Sequence, residues 1–160
     1  MAIRQQLALD RAPWRSRRVR PFLLCLALGF ASSRLSVAAD AFVVIVNTAN
    51  PAAALKSQEI SDIFLKKATA WSDGTKAAPV DLDETSSARD GFSRQVHKKS
   101  TAAVKSYWQK MIFSGREVPP PEKVSADEVV AFVRKYPGGI GYVPPGTALG
   151  AGIKVVPLKP

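Results

Sequence analysis

Residues Ser125–Val143 read SADEVVAFVRKYPGGIGYV. Ser125 and Glu128 stand at the spacing of a capping box, in which a serine side chain and a carboxylate three residues on satisfy the bare amides of a helix start. Pro137-Gly138-Gly139 then stops the helix, because proline cannot continue it and glycine turns the chain cheaply. Ile140–Val143 follows as a strand, so helix, hard stop and strand succeed each other within nineteen residues. The other deciding stretch is AFVVIV at 41–46, a continuous β-branched run ending at Asn47. A run without alternation reads as a strand buried on both faces, which belongs to a sheet covered by helices on each side. The expected class is therefore α/β.

Between these segments the punctuation is regular. NTANP at 47–51 is a turn. SQEISDIFLKK at 57–67 repeats Ile60, Ile63 and Phe64 at helical spacing, with Ser57 as the expected N-cap. Trp71-Ser72-Asp73-Gly74 is a turn in which the indole is expected to be fairly open, and Ala78–Leu82 is a short strand. A helix is expected from Ser87, where Ser87-Ala88-Arg89-Asp90 fits a second capping box. Another begins at Thr101, with Val104, Tyr107, Trp108, Met111 and Ile112 on one face and Gly115 beyond its end. Tyr107 and Trp108 continue that apolar stripe and are read as core rather than as a stacking platform. Arg116–Lys123, with three consecutive prolines, is a stiff extended connection. Ile153–Val156 closes the chain as a last strand.

The first 39 residues have a different composition. Arginines crowd a stretch whose only acid is Asp10, and the apolar run Phe22–Phe30 follows. That run suits the core of a cleaved signal peptide but falls well short of the roughly 20 residues needed to span a bilayer. Small residues at Val37 and Ala39 place cleavage after Ala39. Ser16-Arg17-Arg18 leaves both the general and the twin-arginine export routes open. The expected product is one periplasmic or secreted domain, residues 40–160, with no membrane span. Its removal of seven basic residues and one acid takes the formal charge from +10 to +4, scattered along the chain, which argues against a nucleic-acid partner. The single cysteine, Cys25, lies in the leader, so the domain lacks disulfides and thiol chemistry. One histidine, His97, is expected at the surface beside Lys98 and Lys99. With no second histidine and no cysteine, neither a metal site nor a nucleophile–base pair assembles. No cofactor is implied, and the chain is not expected to be an enzyme.

Four segments in this order, VVIVNTANP, SQEISDIFLKKATAWSDG, APVDLDETSSARDGF and VVAFVRKYPGGIGYV, together spanning Val43–Val143, resemble phosphate-type periplasmic solute-binding proteins. The likeness is to their second lobe and to short single-lobe members. It implies a type II binding-protein lobe with a central mixed sheet flanked by helices, and no first lobe to close over a ligand. In the family a serine-glycine-threonine at a helix start binds phosphate, helped by an arginine four residues before the serine. Here Ser86 matches the serine, while Ser87, Ala88 and Leu82 occupy the other positions. The expected anion site is therefore Thr85, Ser86 and Ser87 at a helix start, with Arg89 supplying the positive charge. Asn47 and Thr48, where the first strand ends, join it by the rule that α/β ligands lie beyond strand ends. Tyr142 of the Ile-Gly-Tyr segment completes the set. The implied partners are phosphate or a similar small oxyanion, a membrane permease of ABC type or another envelope protein, and a second copy of the chain as a homodimer. The alternative reading is a non-catalytic envelope scaffold that has lost anion binding, which Leu82 and Ala88 favour.

Overall fold

The computed structural model describes residues 41–159. The expected leader and its cleavage point lie outside the described residues. The elements run β1 (Val43–Asn47), β2 (Leu55–Lys56), α1 (Ser57–Phe64), β3 (Ala78–Pro79), β4 (Asp81–Leu82), α2 (Ser87–Gln95), α3 (Thr101–Phe113), β5 (Glu122–Lys123), α4 (Ala126–Lys135), β6 (Gly139–Val143), β7 (Ile153–Val155) and β8 (Leu158–Lys159). β1 and β6 are the longest strands and occupy the two central places of a four-stranded sheet ordered β3-β6-β1-β7. β1 runs antiparallel to both β6 and β7, whereas β3 runs parallel to β6. The sheet is thus mixed, as expected. Two short parallel pairs, β4 with β5 and β2 with β8, extend the framework.

The glycines of the PGGIGY stretch are explained by close approach. α4 packs its Val129, Val130 and Val133 on the sheet, and a Cβ at Gly141 would lie 2.7 Å from a methyl of Val129 and 3.0 Å from one of Val80. A Cβ at Gly138 would fall 2.0 Å from the carbonyl oxygen of Lys76, so that crossing accepts no side chain. Successive residues of β6 point to opposite faces, and Tyr142 enters the other layer. There its ring stacks on Phe92 of α2, with centroids 3.9 Å apart and planes at 8°, and Phe42 and Phe64 close around it. Every residue of β6 is buried, which is why helices cover both faces. A smaller cluster of Leu65, Val104 and Trp108, flanked by Tyr107 and Met111, seats α3.

Several local expectations need correction. Ser57 is the first helical residue, and Lys56 is the N-cap, its N–H donating to Glu59 at 2.8 Å. α2 begins one residue earlier in capping terms: Ser86 is its N-cap, and the Ser87–Asp90 box does not form, because Asp90 instead accepts from Arg94 at 2.9 Å. Ile112 is half exposed rather than part of the buried stripe. Trp71 is buried and donates its indole N–H to the carbonyl of Gly138 at 3.0 Å, tying the turn to the end of α4. His97 is only 7 % exposed, with Nδ1 2.9 Å from the hydroxyl of Ser61 and its ring edge-on to Phe92. Helix-end charge favours a surface cation, but here the aromatic layer takes the ring in.

Candidate functional site

β4 delivers the chain to α2 through a turn held by Asp83. Its Oδ1 accepts from the amide of Thr85 at 2.9 Å and from the Thr85 hydroxyl at 2.5 Å, and its carbonyl accepts from the amide of Ser86 at 3.0 Å. These bonds hold the Asp83 carboxyl below its usual pKa, the Thr85 hydroxyl being the larger cause. Ser86 then takes an extended backbone, φ −71° and ψ 130°, and α2 starts. Its hydroxyl caps nothing. A helix start normally loses its first-turn donors to a side-chain cap. At α2 the side chains of Ser86, half-buried, and Ser87, exposed, stand beside uncapped amides at the positive end of the helix dipole.

Arg89 lies in the first turn but faces inward. It is 5 % exposed, donates to the carbonyl of Leu82 at 2.9 Å, pairs with Asp81, and reaches Glu122 of β5 at 3.3 Å. Tyr142, fully buried, donates to the same Asp81 oxygen and accepts the amide of Leu82 at 3.3 Å. Burial pushes the Asp81 carboxyl up to about 6 against the pull of Arg89 and Tyr142. Burial would lower Arg89, yet Asp81 first, then Tyr142 and Glu122, hold it above its usual value. Burial also raises the Tyr142 phenol, so it stays a neutral donor. The result is a closed polar network under the helix start, in which each charge has its partner.

The expected site residues therefore separate into three groups. Thr85, Ser86 and Ser87 come together at the open start of α2. Arg89 and Tyr142 sit beneath it with their polar atoms already engaged, which corrects the expectation that the guanidinium and phenol face a ligand. Asn47 and Thr48 lie elsewhere: β1 is antiparallel to β6, with Val46 opposite Ile140 and Val43 opposite Val143, so β1 ends away from the Tyr142 end of the sheet. The strand-end rule assumes parallel strands, and this strand reverses. Asn47 instead donates to the carbonyls of Val133 and Arg134 at 3.1 and 3.0 Å, closing the end of α4, and Thr48 donates its amide to Gly152 at 3.1 Å.

Sequence reading missed Asp81, Glu122 and Lys105. Lys105 of α3 holds Glu84 at 2.9 and 3.1 Å beside the site. Asp81 is the more legible of the three, because an acid between Val80 and Leu82 in a buried strand requires a cation. Glu122 and Lys105 come from other elements, and only folding brings them near. Among the described residues no group of three or more potential metal-ligating side chains occurs, and no helix is long and apolar enough to cross a membrane.

The family model of the PBP superfamily domain matches residues 27–154. The chain belongs to that superfamily. Its fold is shared with solved PBP-type structures. One is an ABC-type phosphate transport receptor from Vibrio cholerae, with a TM-score of 0.57 and 20 % identity, covering 74 % of this chain and 46 % of that protein. A second, from Clostridium perfringens, is named as a phosphate ABC transporter substrate-binding protein with bound phosphate; its TM-score is 0.58 at 20 % identity, over 74 % of this chain and 45 % of its own. PstS from Borrelia burgdorferi has a TM-score of 0.58 and 16 % identity, over 75 % and 47 %. This PBP domain thus spans less than half the length of these structures. No curated protein matches the chain.

Proposed function

We propose that this PBP domain is a non-enzymatic solute-binding module that holds a small oxyanion, phosphate or a relative such as sulfate, at the start of α2. In this reading it works in the bacterial envelope after export and hands its ligand to an ABC-type permease. The observation that carries the reading is the uncapped helix start: Ser86 makes no capping bond, so its hydroxyl, that of Ser87 and the first-turn amides are left for an anion. The Asp81–Arg89–Tyr142 network serves as its rigid floor. Asp83 and Glu84 border the site, with Lys105 offsetting Glu84, so the remaining negative charge of Asp83 weakens the hold of this surface on an anion. A permease surface or a second copy that excludes water strengthens it.

The test is thermal melting of the protein in millimolar phosphate and sulfate, because a ligand that binds only the folded state raises the midpoint. Arg89→Ala is an unsuitable control, since it breaks the floor. Ser87→Pro is better: Ser87 is the first helical residue, where proline is well accepted and removes one amide donor. The expected result is a midpoint that rises with anion in the native protein and much less in Ser87→Pro. No rise in the native protein, or an equal rise in both, sinks the reading. The scaffold alternative is favoured by one feature, Phe113 at 91 % exposure with exposed Ile112 and Val118 beside the proline stretch, and it is the reading that stands if neither anion acts.

A further inference from the structure

The turn after α1 and the segment leading into β3 border a cavity of about 450 Å³, whose lining includes none of Thr85, Ser86 and Ser87. Its apolar walls include Pro79, Pro121 and Tyr136, and no carboxylate lines it. Two lysines do, Lys66 and Lys76, and neither ammonium has an ion pair or hydrogen bond among the described residues. Lys67 pairs with Asp62, Lys105 with Glu84, and Lys154 donates to the carbonyl of Asn50, whereas Lys66 and Lys76, like the exposed Lys98 and Lys110, have no such partner among the described residues; what distinguishes this pair is the cavity wall they share. The same two lysines also line an adjoining hollow, whose one acid, Glu117, forms no ion pair with either.

Lys66 is unusual in its backbone as well. It follows the C-cap of α1 at φ +57°, the left-handed conformation for which glycine is the usual residue at a helix end. A side chain there costs conformational energy, and this one puts a half-buried cation on the wall of an apolar cavity. Apolar walls and two unpartnered ammoniums are complementary to a molecule with both characters.

We propose that this cavity is a second ligand site, which takes an organic anion with a flat apolar body: an aryl carboxylate whose ring packs among Pro79, Pro121 and Tyr136 and whose carboxylate meets Lys66 and Lys76. The site is independent of the oxyanion reading for α2. Titration calorimetry of the full 160-residue chain with 2-naphthoate tests it, with the neutral 2-naphthylmethanol as comparison. Naphthoate is expected to bind, and the alcohol to bind about a hundredfold more weakly, the loss of the charge-assisted contacts to both ammoniums at about tenfold each. Lys66→Gly keeps the left-handed turn, so it folds, and together with Lys76→Gln it should each weaken naphthoate about tenfold. Ser87→Pro should leave naphthoate binding unchanged. The proposal is overturned by absence of naphthoate binding, by equal binding of the alcohol, by lysine variants that bind as the native chain does, or by loss of binding in Ser87→Pro.

Discussion

His97 carries an acid-sensitive share of the stability that a single substitution isolates. Its imidazole is buried against Phe64 and Phe92, bonded to Ser61, and faced by the positive charges of Arg89, Lys67 and Lys99. Burial first, and these cations second, pull its pKa from 6.5 to about 4. The folded state therefore keeps the ring neutral while the unfolded chain takes up a proton below 6.5. Stability from this group is fully present above pH 6.5 and is lost as the pH falls toward 4. A gap of this size is worth about 3 kcal/mol at 1.36 kcal/mol per pKa unit. Asp81 acts in the opposite sense: its raised pKa means that the folded state holds a proton the unfolded chain has lost, so it gains stability as pH falls from about 6 toward 3.8. The two trends offset each other in the native protein, and a simple pH profile would hide both. His97→Gln keeps Asp81 and removes the imidazole. Urea unfolding of both proteins from pH 7.5 to 4 isolates the effect as a difference, expected to change by about 3 kcal/mol in the direction that penalises the native protein at low pH. Because His97 is the sole histidine, its ring resonances also report its pKa directly. A ring that titrates near 6.5, or a stability difference that is flat across this range, refutes the reasoning.

Arg89→Met should cost about 3–5 kcal/mol, since it leaves the buried Asp81 carboxylate unpaired, and Asp81→Asn added to it should recover part of the loss. A urea midpoint equivalent to less than about 1 kcal/mol of loss would show that the network is not structural. Gly141→Ala should cost about 1–3 kcal/mol through its clash with Val129 and Val80, and Val129→Ala in the same chain should relieve it. Unchanged melting of the Gly141 variant would mean that α4 lies farther from β6 than described.

Much of the architecture is legible because local chemistry and tertiary packing agree. AFVVIV carries no polar position, so it has to be covered on both sides, and β1 is one of the sheet's two inner strands. The helix of 125–135 announces both ends, and its Ser125 hydroxyl does accept from the amide of Glu128 at 3.2 Å. At α2 the local signal misleads. Ser87-Ala88-Arg89-Asp90 has the residues of a capping box, but the helix that starts at Ser87 has Ser86 as its N-cap after the Asp83 turn, and Arg94 takes the Asp90 carboxylate. His97 shows the same limit: its neighbours in sequence are lysines, while its neighbours in space are Phe64, Phe92 and Ser61, one of them 36 residues away.

By itself the sequence determined the class of fold, the order of its elements and the helix start where hydroxyls gather, because each rests on contacts between residues a few positions apart. Strand direction is a long-range property, and it moved Asn47 and Thr48 away from that helix start. The fate of Arg89 was likewise tertiary. Its partners come from β4 and β5, and only their convergence turns an apparent ligand-binding cation into a buried structural one.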